Sequence, residues 1–455
     1  MCIRDRTIAE EFSSWAISLK SKDISDKSRD VLKFLVKDIC GIIVSARNEN
    51  YIKSLVNTYS GTGDIISLGH GKKFDQFSSA IIAGTAAHGE DFDDTFEGNP
   101  MHVGASMIPA LLSAGQNYSL SGDQILKAIA VGSELICRLA LVAPTAMHKQ
   151  CFHPTAVCGT FGVTAGLSSV LGLTEKQMVS ALGICGSFTS GIIEYLAEGS
   201  WTKRVHPGWS ANSGMNATLM AKSDFFGPRT VFEGEHGFFK AFALREIKRD
   251  FSHLTDKLGS RWETENLAFK PYACGTMAQP FVDCAVKLKN KIKDVSQIKS
   301  ITAKVGKGTV HRLWEPSSEK KKPSTPYSAK FSVPYCVAVG FLRGDAGLNE
   351  FNEESIKDKS ILDLANKVNY EIDPNDEYPN NYTGTLICET SEGTITEHQN
   401  CFRGGKKQPL TNEDIEKKYK ANLKFSKLNE QEQSKLTEFT GSFFEKPSFE
   451  NINFK

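Results

Sequence analysis

The sequence lacks the cysteine spacings that mark metal or redox sites. None of its 11 cysteines forms a C-x-x-C pair, which excludes zinc ribbons, thioredoxin-type redox pairs and ferredoxin-type iron–sulfur ligation. Scattered thiols in a chain of 455 residues are typical of a reducing compartment. We therefore predict that the cysteines remain reduced.

Long apolar runs and a large net charge are also missing. No run reaches 18 uncharged apolar residues, and the start contains no signal-peptide core. Lys and Arg number 54 against 53 Asp and Glu, so no general field attracts nucleic acid or an anionic membrane. We predict a cytoplasmic protein that binds neither. The opening Met1–Arg6 fits no helical pattern, and we expect it to have no role.

Three common functional motifs are absent as well. There is no G-x-G-x-x-G followed by an acidic residue, no G-x-x-x-x-G-K-[ST] and no G-x-S-x-G. Nucleotide binding and acyl-enzyme hydrolysis therefore have little support.

The apolar residues that are present follow a helical period over most of the chain. From residue 7 to 267 they recur three and four positions apart, which predicts an all-helical domain. Residues 268–400 contain alternating segments such as SITAKV and TGTLICETSEGTITEHQ, which predict strands in a smaller α+β lid domain. Residues 401–455 return to a helical pattern, and we expect this tail to pack on the first domain. The predicted fold is mainly α.

One stretch, AAHGEDFDDTFEGNPMHVGA at residues 86–105, carries five acidic and no basic residues between His88 and His102. A metal site built from His88, Asp91, Asp93 and His102 is one interpretation. Acid–base chemistry and an ordinary capped turn are two others. The stretch alone does not decide between them.

Two further segments place cations or histidines beside helix starts. His153 precedes a Gly-rich helix, where free N–H groups favour an anion. Lys203, Arg204 and His206 are predicted to lie in a loop ahead of a helix opened by Pro207, which makes either a carboxylate-binding site or a solvated loop.

The beginning of the α+β region adds candidates for a pocket. Lys270 lies where the helical region ends, and pockets often form at such junctions. Lys330 and Tyr335 follow in the smaller domain, where Tyr335 is either a candidate for the same pocket or an ordinary core aromatic.

Six motifs, in order, resemble the MmgE/PrpD family, whose known members include 2-methylcitrate dehydratase, cis-aconitate decarboxylase and an iminodisuccinate epimerase. They are AAHGEDFDDT, HVGASMIPALL, FHPTAVCGTFG, WTKRVHPGWSANSG, KPYACGTMAQP and AKFSVPY. The resemblance implies a large helical domain with an α+β lid, an active site between them, a homodimer, a small di- or tricarboxylate substrate, and no metal or cofactor.

By motif position, the resemblance also assigns roles to individual residues. The catalytic set is Asp91, His102, His153, Lys203 and Tyr335, and the substrate-binding set is Thr95, Arg204, His206, Lys270 and Lys330. In the implied mechanism Asp91 positions a histidine, His102 or His153 moves the proton, and Lys203 holds a substrate carboxylate. Lys203 and Arg204 would then be the cationic partners of the acidic stretch at residues 86–105.

The chain departs from the family pattern in one functional loop. Relatives often carry a histidine after the K-P-Y-like segment, whereas Pro271 to Phe281 contains none. We therefore do not expect decarboxylation of cis-aconitate. Four hypotheses stay open: dehydration of a 2-methylcitrate-like hydroxy acid, epimerisation or isomerisation of a dicarboxylate such as iminodisuccinate, an inactive ligand-binding protein, and a metal-dependent hydrolase.

Overall fold

The computed structural model describes residues 6–59, 61, 63–97, 99 and 101–449, without the side chains of residues 197 and 198. The expectation about the opening segment therefore lies outside the described residues, except for Arg6. Among the described residues, no helix has the length and apolar character needed to cross a membrane.

The chain divides into two compact units. The first unit comprises residues 1–89, 93–267 and 422–455, and the second comprises residues 90–92 and 268–421. The chain passes from the first unit to the second after residue 267. The predicted tail, 401–455, is divided between them at Asn422, and the short segment 90–92 belongs to the second unit although the chain around it belongs to the first.

The first unit is built from helices, with a few two-residue strands. Its elements up to residue 267 are α1 Ile8–Ser18, α2 Asp26–Ser45, α3 Asn50–Thr58, β1 Ile65–Ile66, β2 Lys73–Phe74, α4 Gln76–Gly89, β3 Thr95–Phe96, α5 Gly104–Tyr118, α6 Gly122–Val142, α7 Ala146–Lys149, α8 Pro154–Ser168, α9 Glu175–Phe188, α10 Tyr195–Glu198, α11 Thr202–Lys222 and α12 Phe238–Phe242. Local sequence explains several starts. The sequence TEKQ predicts a capping box, and Thr174 and Gln177 form it at the beginning of α9.

Helices α4, α5, α8 and α11 form the centre of this unit, and α11 packs against the other three. At the crossing of α4 and α11, a Cβ on Gly84 would lie 2.5 Å from the Cα of Gly208. A Cβ on Gly208 would lie 2.4 Å from the backbone oxygen of Ile81. Because only glycine permits this approach, the two backbones bring the end of α4 and the first turns of α11 close together.

The second unit combines helices with one four-stranded sheet. Its elements are α13 Gln279–Lys291, β5 Ile298–Val305, α14 Val310–Leu313, α15 Ser317–Lys321, α16 Pro326–Ala329, α17 Val333–Arg343, α18 Lys359–Asn366, β6 Val368–Ile372, β7 Gly384–Thr390 and β8 Gly393–Gln399. Three elements complete the chain: β4 Leu267–Ala268 and α19 Asn412–Phe425, which cross the unit boundaries, and α20 Glu430–Gly441 of the first unit.

The sheet has the strand order β6-β5-β7-β8. Strand β6 runs parallel to β5, with Ile301 opposite Val368, and β7 runs antiparallel to it. Strands β7 and β8 form the predicted hairpin, with Leu386 opposite Glu397. Alternate residues of β5 and β7 are buried, and α13 packs against β7 and β8. The prediction of a mainly α fold with a smaller α+β part is confirmed.

Two local predictions in the second unit are wrong. The pattern of ESIKDKSILDLANKV predicts a helix that reaches Val368, whereas α18 ends at Asn366 and β6 begins at Val368. The lysine-rich segment PSSEKKKPSTP is typical of an exposed loop, but it contains α15. Serine and lysine are frequent in loops, but neither prevents a single helical turn.

Candidate active site

Helix α4 ends by presenting His88, whose side chain is buried. The Nδ1 atom of His88 lies 2.7 Å from Oδ2 of Asp93, five residues later. The chain reverses direction between them because Asp91 has a φ of 53°, in the left-handed region that aspartate tolerates better than most residues. Since a carboxylate only accepts, Nδ1 of His88 carries the proton. Its Nε2 is buried and has no hydrogen-bond partner among the described residues.

A second histidine shares the Asp93 carboxylate. Nδ1 of His102 lies 3.4 Å from Oδ2 of Asp93 and donates to the backbone oxygen of Asp94 at 2.7 Å. The His102 backbone N–H donates to Oγ1 of Thr155 at 3.1 Å. The rings of His88 and His102 are 4.7 Å apart between centroids. Because a carbonyl oxygen can only accept, neutral His102 keeps its lone pair on Nε2, the nitrogen suited to act as a base.

Asp94 holds the start of α5. Its two carboxylate oxygens accept hydrogen bonds from the backbone N–H groups of Val103 and Gly104, at 3.0 and 2.9 Å. Burial, followed by the charge of Asp93, raises the pKa of the Asp94 carboxyl well above its usual range. Asp94 therefore fixes the backbone directly after His102, a role the sequence did not predict.

A third and a fourth histidine complete the group. His153 precedes α8 at its N-cap, as predicted, and its Nδ1 lies 3.1 Å from Nδ1 of His206. The ring of His153 is also 5.5 Å from that of His88 and 5.9 Å from that of Tyr195. We refer to His88, Asp93, His102, His153 and His206 as the histidine cluster, and all five belong to the first unit.

The environment keeps two of these imidazoles neutral. Burial lowers the pKa of His153 well below its ordinary value, and the electrostatic influence of His88, His206 and Lys203 lowers it further. Burial, followed by the electrostatic influence of His88 and Lys203, lowers the pKa of His206 to about 4. At neutral pH both rings are therefore uncharged, and in their Nδ1–Nδ1 contact one donates while the other accepts.

The predicted loop around Lys203 is helical. Helix α11 begins at Thr202, so Lys203, Arg204 and His206 all lie in its first turns, and Pro207 lies inside the helix. The prediction was wrong because a proline usually marks the first turn. Here it is the sixth residue, where its missing N–H removes the helical partner of the Lys203 carbonyl.

The other predicted residues of the first unit lie around this helix. Arg204 is buried, and its guanidinium carbon lies 4.2 Å from the centre of the Tyr51 ring. Lys203 is half-buried, and its charge acts on the pKa of His153 and His206. Thr95 is buried in β3. Their assigned roles stay predictions.

In the second unit, the predicted residues have protein partners. Nζ of Lys270 donates to the backbone oxygen and Oδ1 of Asp91, at 2.9 and 3.1 Å. Nζ of Lys330 donates to the backbone oxygen and Oε2 of Glu90, at 2.7 and 2.6 Å. Asp91 therefore pairs with a lysine, and the carboxylate bonded to a histidine is that of Asp93. No local pattern could have indicated pairs formed across 179 and 240 residues.

Tyr335 is buried in α17 and its hydroxyl donates to the backbone oxygen of Glu350 at 2.8 Å. Burial raises the pKa of this hydroxyl, so it stays protonated at neutral pH. Its catalytic role stays a prediction.

Three side chains of the histidine cluster could also hold a metal ion. One ligand atom each from His88, Asp93 and His102 lies within 4.8 Å of the other two. However, Nδ1 of His88 and Nδ1 of His102 each lie 2.7 Å from an oxygen acceptor. This arrangement favours protonated Nδ1 atoms that donate hydrogen bonds, so the ligand atom of either ring would have to be Nε2.

Comparison with known proteins gives matches over nearly the whole chain. The family profile described as the MmgE/PrpD N-terminal domain matches residues 10–249, and the MmgE/PrpD C-terminal domain matches residues 272–440. The cis-aconitate decarboxylase-like protein oryM of Aspergillus oryzae is 24% identical over 448 residues, 92% of each chain.

Two further relatives are cis-aconitate decarboxylases by name. The protein of Aspergillus terreus is 25% identical over 438 residues, covering 91% of this chain and 88% of the relative. The human protein is 26% identical over 445 residues, covering 92% of this chain and 88% of the relative.

Proposed function

Because this chain belongs to the MmgE/PrpD family, we propose that it is a cofactor-independent lyase that dehydrates a small hydroxy di- or tricarboxylate by abstracting a proton alpha to a carboxylate. The observation that carries this proposal is the Asp93 carboxylate shared by His88 and His102, at 2.7 and 3.4 Å. The named activity of the curated relatives supports a lyase, and both dehydration and the substrate are our own inference.

The geometry of His102 supports its role as the base. Its proton is on Nδ1, facing the Asp94 carbonyl, so the lone pair of the neutral ring is on Nε2, the atom that takes the proton from carbon. The imidazolium that forms is stabilised by the nearby Asp93 carboxylate. His88 holds Asp93 in place through the shorter hydrogen bond. In this proposal Asp93 takes the positioning role that the sequence assigned to Asp91.

The surroundings of His153 support its role as the acid. In the free protein the charge of Lys203 helps to keep this ring neutral. A bound polycarboxylate offsets the charge of Lys203 and adds negative charge of its own, so the pKa of His153 rises. The ring can then take up a proton and deliver it to the departing hydroxyl, which leaves as water while the alkene forms.

Lys203 and Arg204 are suited to binding the substrate carboxylates. Abstraction beside a carboxylate builds further negative charge on it, and a cation that contacts it lowers the barrier. Both residues lie in the first turn of α11, where free backbone N–H groups also favour an anion.

The test of this proposal is proton NMR of the protein in D2O with citrate, 2-methylcitrate, cis-aconitate, tartrate, malate and iminodisuccinate. We expect solvent deuterium at an alpha position together with a new alkene signal. Exchange without elimination would instead identify an epimerase or isomerase. Loss of a carboxylate from cis-aconitate would contradict our inference from the missing histidine, and no change with any compound would favour the ligand-binding alternative.

The metal-dependent alternative has its own test, because His88, Asp93 and His102 could form a site. We expect activity found in the NMR assay to persist after prolonged dialysis against EDTA, since the proposed mechanism uses the Nε2 lone pair of His102 to take a proton and not to bind a metal. Activity that disappears and returns with a divalent ion would establish the metal enzyme instead. Protein treated identically without EDTA is the control.

We also propose that the protein forms a homodimer through the outer face of α11. No Asp, Glu, Lys or Arg occurs from Val205 to Ala221, and Trp209 on this face is 46% exposed. An uncharged face suits a two-fold axis, across which a charge would approach its own copy. We expect Trp209→Glu to convert a dimer into a monomer in sedimentation experiments, and a monomeric wild-type protein would contradict the proposal.

A further inference from the structure

Three lysines of the second unit hold three consecutive backbone carbonyls. The Nζ atoms of Lys330, Lys270 and Lys418 donate to the oxygens of residues 90, 91 and 92, at 2.7, 2.9 and 2.8 Å. We call these three lysines the lysine clamp. They come from distant parts of the sequence, yet each binds one successive peptide group of the same short segment.

Burial makes this arrangement costly unless each ammonium group is well bound. All three lysines are buried, and lysine is almost never fully buried without a partner. Lys330 and Lys270 also contact the carboxylates of Glu90 and Asp91, and Nζ of Lys418 lies 3.9 Å from the centre of the Phe92 ring. Desolvating three cations opposes folding. One surface ion pair would hold a turn in place at a smaller cost in free energy.

The segment that is held separates two members of the histidine cluster. His88 lies two residues before Glu90, and Asp93 follows Phe92 directly. Asp91, in the middle, has a φ of 53° and needs its surroundings to hold that conformation. A rotation within residues 90–92 would therefore move the Asp93 carboxylate relative to the ring of His88 through the covalent chain alone.

We propose that the lysine clamp is a positioning device for the His88–Asp93 hydrogen bond. In this role Lys270 and Lys330 act on the segment 90–92 and not on the substrate, and Lys418, which the sequence did not single out, is an equal member. The inference rests on the proposed function, because it gives the clamp a part in setting the carboxylate that His102 uses.

Lys418→Met is the variant that tests the clamp with least disturbance of the other candidates. Methionine keeps the length of the side chain but removes the charge and the donor to the Phe92 carbonyl. The neighbouring Lys417, whose side chain is 78% exposed, supplies the matched control Lys417→Met on the same helix.

The first measurement needs no substrate. The proton on Nδ1 of His88 should give a far-downfield NMR signal that is absent in His88→Gln. We expect this proton to exchange with water about tenfold faster in Lys418→Met, while the far-ultraviolet circular dichroism and the Lys417→Met signal stay as in the wild type. An unchanged exchange rate in folded Lys418→Met would overturn the proposal. If this variant does not fold, Lys330→Gln is measured against the same criterion.

The second measurement uses the substrate identified in the deuterium experiment. We expect kcat of Lys418→Met to fall by about 10- to 100-fold with little change in KM, because a base misplaced by ~1 Å loses rate more than affinity. A normal kcat would also overturn the proposal. If no substrate is found but the NMR signal responds as expected, the proposed function fails while the control of the His88–Asp93 bond by the clamp stands.

Discussion

Replacing His153 with alanine is expected to lower kcat by about 100- to 10,000-fold, the range that a positioned general acid contributes. His153 contacts His206 at 3.1 Å and lies beside the ring of His88. The measurement is the rate of alkene formation in the NMR assay. A wild-type rate in the folded variant would remove His153 from the mechanism.

Two controls separate chemistry from stability in that experiment. His236→Ala changes an exposed histidine of the same unit and should leave kcat unaltered. His153→Gln keeps most of the volume and one hydrogen-bonding group, so it should fold as the wild type does and still be inactive. If His153→Gln had the kcat of the wild type, the lower kcat of His153→Ala would be explained by the cavity that alanine leaves.

The pH dependence gives a sharper signature of the same residue. In the free protein the pKa of His153 lies well below its ordinary value, so the ring is already neutral at pH 6 to 8. Substrate binding should raise this pKa. Because kcat reports groups in the bound complex and kcat/KM reports the free enzyme, the apparent pKa of the acid should be higher in the kcat profile. Identical profiles would contradict the role of substrate charge.

Replacing Lys203 with methionine is expected to lower kcat/KM by about 100- to 1000-fold, as for the loss of one cation or donor at a developing negative charge. Since Lys203 would bind the carboxylate before and during proton abstraction, we expect a higher KM and a lower kcat together. Lys222→Met, at the exposed end of the same helix α11, is the matched control and should be unaffected. An unaltered kcat/KM in Lys203→Met would exclude the proposed carboxylate contact.

A second observable in Lys203→Met does not depend on any substrate. The charge of Lys203 contributes to lowering the pKa of His206 to about 4. Removing a nearby cation favours the protonated ring, so this pKa should rise. Titration of the His206 ring proton by NMR measures the change. A pKa that stays near 4 would show that Lys203 does not contribute to it.

Local signals in the sequence were sufficient to predict several helices and strands. The capping box of Thr174 and Gln177 begins α9, and the alternating pattern around Ser391 gives the β7–β8 hairpin. Both predictions were confirmed because their determinants lie within a few residues. Helix α11 shows the opposite case. Its start was predicted too late because Pro207 resembles a first-turn residue, and only packing of Gly208 against α4 reveals that the helix continues through it.

The same contrast holds for the candidate site. The sequence alone indicated the family through six ordered motifs, and with it the mainly α fold and the candidate histidines His102 and His153. It could not decide which carboxylate of the acidic stretch meets a histidine and which meets a lysine. Residues 90–94 all lie near a helix end. Where a helix ends in a turn, neighbouring residues point their side chains in different directions. The tertiary structure decided this because Lys270, Lys330 and Lys418 hold residues 90–92 from far along the chain, which leaves Asp93 for His88.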